Sequence, residues 1–345
     1  MSMMSTAINA FERLPLPDSV TSAGITFLCD RTRRSLVEYE PAQDSMFLNE
    51  MRQRPVAEHT DAANDQHYEI PPEFFSHILG PRRKYSCCLY RNPSDTLMDA
   101  EEHALADTAR HAGLADGQEI LELGCGWGSL TLWMAQHFPN ARITAVSNSH
   151  GQRGYIEDQA AKRGFVNLKV ITADMNDFTP TGAFDRVVSV EMFEHMANWQ
   201  PLLERIRAAL KPEGRLFLHV FSHKSAPYRF DRENKADWIA QHFFTGGIMP
   251  SHGLIGHFPE CFEIEREWRW NGRHYQRTAE DWLTNFDANR SEIDAVLQSV
   301  YGNESRLWRR RWRLFYLATA GLFGHANGAQ WGVSHYRLRA AAASV

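Results

Sequence analysis

The stretch that decides the fold is Ile120–Gly128, which reads I-L-E-L-G-C-G-W-G. An apolar run, interrupted only by Glu122, leads into three glycines at alternate positions, Gly124, Gly126 and Gly128. This pattern predicts a buried strand that ends in a tight loop and is followed by a helix. Because glycine has no Cβ, a ligand could lie against the main chain there, with helix amides pointing at it. The alternative is a tight turn of the kind found in any α/β domain.

The composition is that of an ordinary globular protein with room for a large core. The 345 residues are 43% hydrophobic and 23% charged, and the formal net charge is -5. This balance gives no reason to expect nucleic-acid binding. The apolar runs are shorter than the roughly 20 residues of a membrane span, and the N-terminus lacks the pattern of a secretory signal. The many Trp and Phe residues predict an aromatic core, with an aromatic pocket as the alternative.

The five cysteines argue against a disulfide framework or a zinc cluster. Their number is odd, no C-x-x-C pair occurs, and Cys87 and Cys88 are adjacent. We therefore expect free thiols, no bound metal and a reducing, cytoplasmic location. The oligomeric state is left open, with a homodimer among the alternatives.

Strands and helices alternate after the first hundred residues, which predicts a doubly wound, mostly parallel α/β sheet. Strands are expected at 118–123, 142–147, 167–172, 184–190 and 214–221, with helices at 129–138, 150–163 and 198–210. Helices are also expected at 45–58, 67–75, 99–112, 278–300 and 306–323, and strands at 262–270 and 330–339, the last antiparallel at the sheet edge. Ligands bind such sheets at the carboxyl ends of the strands.

Four parts are predicted along the chain. They are a helical N-terminal arm (1–80), a ligand-binding core (81–222), a lid insertion (223–257) and a C-terminal part (258–345) that completes the sheet and the pocket. Phe243 in the lid is expected to cover an aromatic substrate, and simple packing of the lid is the alternative. The arginines of the helix at 306–323 either meet anionic lipid headgroups or form a solvated face.

The densest cluster of titratable residues follows the fourth predicted strand, in V-E-M-F-E-H-M (Val190–Met196). If the chain turns helical there, Glu191, Glu194 and His195 share one face. Carboxylate and imidazole groups beside a cation could position and deprotonate an amine. The alternative is a surface helix with an ordinary acidic first turn.

Polar residues that suit a nucleoside follow the second and third predicted strands. Asn148 and Gln152, rather than an acid, would bind the ribose hydroxyls. After the third strand, the Asp174 carboxylate would accept from an adenine amino group while Met175 covers the ring. Asp174 could instead cap a loop or helix.

Several motifs together resemble the cyclopropane-fatty-acid-synthase superfamily of S-adenosylmethionine (SAM) methyltransferases. They are Y-S-C-C, V-E-M-F-E-H-M, and E-L-G-C-G-W-G with an acid two positions before its G-x-G-x-G. H-K-S-A-P-Y, D-W-I-A-Q-H-F-F-T-G-G-I-M-P-S, W-N-G-R-H-Y-x-x-T-x-x-D-W and L-F-G-x-x-N-G-x-x-W are similar to segments of the plant coclaurine and pavine N-methyltransferases of that superfamily. The resemblance covers about residue 68 to the end and implies a Rossmann-like fold.

The resemblance also implies site residues. Contacts with SAM, and with its product S-adenosylhomocysteine (SAH), are expected from Tyr85, Ser86, Glu122, Gly124, Gly126, Asn148, Gln152, Asp174, Met175 and Val190. The catalytic pair of the N-methyltransferases falls on Glu194 and His195, with Glu191 close by. We therefore predict N-methylation of a small alkaloid-like or arylalkyl amine, with His195 as the base and Glu194 orienting it or holding the ammonium.

Two other functions stay open. Lipid-modifying relatives hold a bicarbonate ion as base, and its ligands would match Cys87, Glu194, His219 and Tyr275. All four residue types are present, so cyclopropane-type modification of phospholipid acyl chains is the alternative. The third hypothesis is a SAM-binding protein without catalytic activity. For the preferred function we expect neither a nucleic-acid partner nor membrane contact.

Overall fold

A computed structural model describes residues 12–14, 16–58, 70–235 and 237–342 of the chain. The first part of the predicted arm (1–11) and the start of the helix predicted at 67–75 lie outside the described residues. None of the described helices combines the length and the apolar character needed to cross a membrane.

A seven-stranded sheet forms the centre of the molecule. Its strands are β1 (Glu119–Leu123), β2 (Arg142–Ser147), β3 (Leu168–Thr172), β4 (Phe184–Val190), β5 (Leu210–His223), β8 (Phe262–Asn271) and β9 (Trp331–Ala340). The strand order is β3-β2-β1-β4-β5-β9-β8. The first five strands are parallel, and β9 runs antiparallel to both β5 and β8. The predicted doubly wound, mostly parallel sheet is confirmed.

Two strands differ from the prediction. The fifth strand begins at Leu210 rather than at residue 214, because residues 211–214 form a bulge inside it. The pairing with β4 jumps there from Leu210 opposite Phe184 to Arg215 opposite Arg186. The last strand, β9, is not at the sheet edge, because β8 pairs with its outer side.

Helices cover the sheet and extend beyond it. They are α1 (Asp18–Val37), α2 (Pro41–Arg52), α3 (Pro72–Ser76), α4 (Leu97–Ala112), α5 (Ser129–His137), α6 (His150–Arg163), α7 (Gln200–Ala209), α8 (Trp238–His242), α9 (Arg273–Ala288), α10 (Arg290–Tyr301) and α11 (Ser305–Gly328). The single helix predicted at 278–300 is two helices, because the backbone leaves the helical region at Asn289. In the lid, two short strands, β6 (Tyr228–Arg229) and β7 (Ile248–Met249), pair with each other.

The local sequence sets the ends of α4, a helix that later proves important. Thr96 caps its start, accepting a hydrogen bond from the Asp99 backbone N–H at 3.2 Å, while the Asp99 side chain bonds back to Thr96. Gly113, in the left-handed region with φ 67°, ends the helix. Both are standard helix-capping arrangements. They fix the register that turns His111 of the last turn inward, where it is buried.

Aromatic side chains form a core of their own, outside the sheet. Phe74, Trp282, Trp312 and Tyr316, from α3, α9 and α11, are fully or almost fully buried in one cluster with Phe243 of the lid. The predicted aromatic core is therefore present. It holds the lid and the C-terminal helices over the carboxyl ends of the strands.

Candidate active site

One large cavity, of about 1090 Å³, lies at the carboxyl ends of the parallel strands. Its inner half is lined by the loops that follow β1, β2 and β3. Its outer half is covered by α1, the lid and α11. All ten residues expected to contact SAM line this one cavity: Tyr85, Ser86, Glu122, Gly124, Gly126, Asn148, Gln152, Asp174, Met175 and Val190.

The glycine loop has the tight geometry that its sequence predicts. Gly124 has a φ of 76°, and a Cβ placed on it would lie 2.5 Å from the side chain of Met192. Gly126 has a φ of 52°, and a Cβ there would meet no atom within 4 Å. Gly124 is therefore needed for close packing, whereas Gly126 leaves open space over bare main chain.

Glu122 lies at the floor of the inner half. The residue is 2% exposed, and its carboxylate accepts a hydrogen bond from the Thr131 hydroxyl at 2.5 Å. Burial raises the pKa of Glu122 to about 8. A positively charged ligand group bound beside it would favour the ionised form and lower that pKa. The position therefore suits the ammonium end of an amino acid.

The polar residues after β2 and β3 are held by local hydrogen bonds. The Ser147 hydroxyl donates to Oε1 of Gln152 at 2.7 Å, which fixes the side-chain amide of Gln152 at the cavity wall. One oxygen of Asp174 accepts from the Asn176 backbone N–H at 2.8 Å. Asp174 thus holds its own turn, as the structural alternative predicts, and also lines the cavity.

Lys84 is a functional candidate that the sequence did not reveal. The residue is 2% exposed, and its ammonium donates to the Ser86 hydroxyl at 2.5 Å and to the Cys87 carbonyl at 2.8 Å. Glu101 of α4 fixes this loop by accepting from the backbone N–H groups of Arg82 and Lys84. The only sequence signal for Lys84 was its position immediately before the Y-S-C-C motif.

The carboxylate of Glu191 is held by three donors from distant parts of the chain, an arrangement we call the Glu191 cradle. The Cys87 backbone N–H lies 2.9 Å from Oε1, His219 Nε2 lies 3.1 Å from Oε1, and the Tyr275 hydroxyl lies 2.6 Å from Oε2. Burial raises the pKa of Glu191, while Lys84 and the Tyr275 hydrogen bond act in the opposite direction. Glu191 also has a φ of 48°, a strained value for a residue with a side chain.

Glu194 and His195 take different positions, although they are adjacent. Glu194 is fully buried outside the cavity lining; its Oε1 accepts from the Phe221 backbone N–H at 2.6 Å. Its Oε2 has no hydrogen-bond partner among the described residues. Burial, together with the charge of Glu191, raises the pKa of Glu194 well above the ordinary value and so favours its protonated form. His195 lines the cavity and stacks on Phe244, with ring centroids 4.3 Å apart.

The three titratable side chains therefore do not share one face, contrary to the prediction. The reason is local: after β4 the chain forms a single 3-10 turn, Phe193–His195, rather than an α-helix. Glu191 and His195 face the cavity, whereas Glu194 points into the core behind it.

Three of the other predicted pocket residues also lie behind the cavity wall. Cys87 and His219 are fully buried and reach the cavity only through their hydrogen bonds to Glu191. Phe243 packs against Phe315 of α11, and its neighbour Phe244 lines the cavity instead. Adjacent side chains at the end of α8 point in different directions, and the sequence could not show which one faces inward. Tyr275 lines the cavity as expected.

The outer half of the cavity contains residues that the sequence did not indicate. Phe27, Leu28 and Thr32 of α1 and Leu322 of α11 are among its lining residues. The two helices pack closely, since a Cβ on Gly321 would lie 2.5 Å from the Ile25 side chain. No local pattern marks α1 as a cavity element, because its position depends on α11.

The arginines of α11 bind other parts of the same chain. Arg313 lies 2.8 Å from Asp287 and also pairs with Asp18, Arg309 lies 3.2 Å from Asp294, and Arg311 lies 3.2 Å from Glu12. Arg310 donates to the Arg13 carbonyl. These charges hold α1 and the C-terminal helices together, so they support neither the lipid-headgroup hypothesis nor a freely solvated face.

A comparison with protein families decides what kind of protein has this site. The family described as mycolic acid cyclopropane synthetase matches residues 56–327. The chain belongs to this family. Similar proteins of known function include N-methyltransferases and cyclopropane-fatty-acyl-phospholipid synthases, and the (S)-coclaurine N-methyltransferases are the more similar of these to this chain.

Two plant relatives illustrate the amine branch. The (S)-coclaurine N-methyltransferase of Thalictrum flavum subsp. glaucum is 34% identical over 307 residues, covering 88% of this chain and 85% of the relative. The pavine N-methyltransferase of the same plant is 30% identical, covering 86% of this chain and 85% of the relative. For the lipid branch, the cyclopropane-fatty-acyl-phospholipid synthase of Escherichia coli (strain K12) is 28% identical, covering 78% and 66%.

A solved structure extends the likeness to the whole fold. Coclaurine N-methyltransferase bound to N-methylheliamine and SAH superposes with a TM-score of 0.91 and 32% identity, covering 98% of this chain and 100% of that one. The likeness therefore extends beyond the residues of the family match. The cyclopropane synthase MmaA2 from Mycobacterium tuberculosis, at 22% identity and a TM-score of 0.71, shares the fold.

Proposed function

We propose that this protein transfers the methyl group of SAM to the nitrogen of a small alkaloid-like or arylalkyl amine. SAM occupies the inner half of the cavity. Its amino-acid end lies at the glycine loop and Glu122, and its nucleoside lies at Asn148, Gln152 and Asp174. The amine occupies the outer half, under α1 and the lid. The relatives that act on alkaloid amines, and the neighbour holding an N-methylated amine with SAH, support this arrangement.

The observation that carries the proposal is the Glu191 cradle. An amine approaches as a cation at neutral pH, and the cavity wall offers it a carboxylate held in place by three donors. His195 lies on the same wall, and Phe244 presents an aromatic face beside it. A carboxylate, an imidazole and an aromatic face together are suited to bind an ammonium group and remove its proton.

Glu191, His195 and Glu194 have different roles in the reaction. When bound, SAM supplies an electrophilic methyl group, which passes to the nitrogen as the carbon–sulfur bond breaks and SAH remains. Glu191 attracts the ammonium, and His195 takes its proton, leaving a lone pair that must lie in line with the donor at about 3 Å. Glu194 does not touch the substrate. Its hydrogen bond from the Phe221 backbone N–H positions the turn that carries His195.

The same cradle argues against the lipid alternative. The resemblance implies a bicarbonate ion bound by residues that match Cys87, His219 and Tyr275, together with Glu194. In this chain, those three residues already donate to the carboxylate of Glu191. The fourth, Glu194, is turned toward Phe221. A side chain thus occupies the position that a bicarbonate ion would need.

The state of the cysteines bears on the compartment. All five thiols, Cys29, Cys87, Cys88, Cys125 and Cys261, are free and buried. This supports a reducing compartment, and we extend the proposal to the cytoplasm.

The experiment is a product assay. Purified protein is incubated with SAM and, separately, with (S)-coclaurine, a panel of primary and secondary arylalkyl amines, and phospholipid vesicles with and without bicarbonate. SAH and methylated products are measured by mass spectrometry. We expect SAH together with an N-methylated amine, independent of bicarbonate. Bicarbonate-dependent modification of the vesicles alone would select the lipid function, and SAM binding without any product would select a non-catalytic role.

A further inference from the structure

A continuous line of hydrogen bonds leads from the Glu191 cradle through three buried histidines to helix α4, which packs on one face of the sheet. His219 Nε2 lies 3.1 Å from Glu191 Oε1, and His219 Nδ1 lies 2.9 Å from His335 Nε2. His335 Nδ1 lies 2.8 Å from His111 Nδ1. The line ends where His111 Nε2 lies 2.8 Å from Nη2 of Arg110.

The fold places these histidines in register. His219 of β5 and His335 of β9 are directly paired residues of adjacent strands, and both are fully buried. His111, on the last turn of α4, is 2% exposed and stacks on Trp268 of β8 at 3.8 Å. The line reaches solvent at Arg110, whose side chain is 65% exposed.

One assignment of protons satisfies every link. Arginine can only donate, so His111 Nε2 accepts from Arg110 and the ring carries its proton on Nδ1. His111 then donates to His335, which donates through Nε2 to His219, which donates through Nε2 to Glu191. All three rings are neutral in this arrangement. Burial favours that state, because it lowers the pKa of His111 to about 4 and those of His219 and His335 well below the ordinary value.

A second arrangement, in which every hydrogen bond of the line runs in the opposite direction, becomes possible when His111 changes its partner at the outer end. Asp107 Oδ2 lies 3.6 Å from His111 Nε2, on the same helix as Arg110. If Asp107 replaces Arg110 as the partner, His111 Nε2 carries a proton and donates it, and each inner ring donates outward. Glu191, now protonated, donates to His219. The second arrangement holds one proton more than the first, on Glu191. When one proton hops outward across each hydrogen bond, Asp107 receives a proton from His111 and loses it to solvent, and the line is left in the first arrangement. The rings must then reverse before the next turnover, and neither arrangement contains a charged histidine.

The charges around the line are consistent with such a shift. The inner end faces Lys84, and the outer end faces Asp107, Arg110 and Arg337. Asp107, His111 and His335 also offer three potential metal-ligand atoms within 4.8 Å of one another. A metal ion there would have to displace the Arg110 guanidinium and break the bond between the two rings. Proton transfer along the existing hydrogen bonds requires neither change.

We propose that His219, His335 and His111 form a relay that carries the proton released by amine methylation from Glu191 to Asp107, which lies beside the exposed side chain of Arg110. The inference rests on the proposed function. As the nitrogen–carbon bond forms and the carbon–sulfur bond breaks, the electron pair of the broken bond goes to sulfur. The amine gives up one proton per turnover. His195 takes that proton and passes it to Glu191, and no oxidant or reductant is involved. The relay lets the proton leave while α1 and the lid cover the substrate.

The test compares the timing of two events in a single turnover. Protein loaded with SAM is mixed with (S)-coclaurine in weak buffer containing a pH-indicator dye, and SAH is measured in parallel by chemical quench. In the unmodified protein, the proton reaches bulk solution as fast as SAH forms. In His335→Phe, proton release is expected to lag behind SAH formation by about tenfold or more, and kcat falls more than KM changes. Synchronous release in that variant would overturn the relay.

Three further variants guard against a folding artefact. His223→Phe changes another buried histidine of β5 that lies outside the line, and it should keep release synchronous. At the outer end, Asp107→Asn removes the partner of the reversed arrangement and should reproduce the lag, whereas Asp107→Glu should restore synchrony. If His335→Phe does not fold, Asp107→Asn decides the matter: no lag there overturns the relay. Failure of every amine to yield SAH would instead overturn the proposed function, and the relay with it.

Discussion

The two halves of the cavity are built in different ways. Most of the inner half, proposed for SAM, comes from residues 122–175, where short loops follow three consecutive parallel strands, and Tyr85, Ser86 and Val190 complete it. The outer half, proposed for the amine, depends on contacts between residues far apart in the chain. Glu191 is held by residues 87, 219 and 275, and the cover comes from α1 and α11. The inner half is thus encoded locally, and the outer half exists only once the whole chain has folded.

The difference implies that the halves can be damaged separately. Variants of the outer half should lose turnover while SAM still binds, whereas variants of the glycine loop should lose SAM affinity first. Each of the following experiments tests that separation, beginning with the largest expected effect.

The double variant Glu194→Ala/His195→Ala removes the base and the carboxyl that positions its turn. Turnover should fall by about 10³-fold, within the usual contribution of acid–base catalysis, while the SAM dissociation constant stays within a factor of about three, because neither side chain belongs to the inner half. SAH formation and calorimetric SAM binding measure the two quantities. Near-normal turnover would exclude His195 as the base.

Glu191→Gln keeps the shape of the side chain but removes its charge. The kcat/KM for the amine should fall by about 100-fold, since the cation loses its carboxylate partner. The matched control is Glu194→Gln. Burial favours the protonated form of Glu194, and a glutamine can still accept from the Phe221 backbone, so the amide variant should retain most of the activity. Equal losses in the two variants would contradict the distinct roles assigned to these carboxyls.

Gly124→Ala tests the inner half. The added Cβ meets Met192 in a backbone conformation that disfavours side chains, so SAM affinity should fall by about 10-fold to 100-fold. Gly164→Ala is the control, because Gly164 has a similar φ of 70° at the end of α6 but open space around it. It should lose stability alone. Unchanged SAM binding in Gly124→Ala would argue that the cofactor lies elsewhere.

Two adjacent phenylalanines test the boundary between site and core. Phe244→Ala removes the ring stacked on His195, and the KM for the amine should rise by about tenfold. Phe243→Ala should leave that KM nearly unchanged but lower the free energy of unfolding by roughly 3 to 5 kcal/mol, because the ring is fully buried against α11. The opposite pattern would mean that the lid closes on its other face.

Glu122→Gln gives the smallest change, and it depends on pH. Burial raises the pKa of Glu122 to about 8, so folding favours the protonated form. The stability that this group contributes is complete below its ordinary pKa of about 4.5 and is lost as the pH rises through about 8. Without SAM, the Tm advantage of Glu122→Gln should therefore grow between pH 5 and pH 9. An advantage that does not change with pH would show that Glu122 is ionised throughout.

The sequence was sufficient where structure and function depend on neighbouring residues. The periodicity of β1 to β4, the glycine spacing and the polar residues at the strand ends predicted the parallel strands and the residues after β1, β2 and β3 that were expected to bind SAM and that line the inner half. The sequence was insufficient where the direction of a side chain depends on tertiary packing. The 3-10 turn after β4 sends Glu194 inward, and the short helix α8 exchanges the expected roles of Phe243 and Phe244.

Elements whose position is set by distant partners could not be predicted at all. The helix α1 has few buried residues of its own and is fixed by contacts with α11. The three histidines of the line belong to α4, β5 and β9, and these elements come together only when the chain has folded. No spacing in the sequence connects residues 111, 219 and 335.

The central claim is that the Glu191 cradle and His195 receive the amine beside the methyl donor. A crystal structure with SAH and an N-methylated amine product tests it most directly. We expect the product nitrogen beside Glu191 and His195, with its methyl group about 3 to 4 Å from the sulfur of SAH. An amine bound away from these residues, or a Glu191 side chain turned out of its cradle with another anion in its place, would contradict the account.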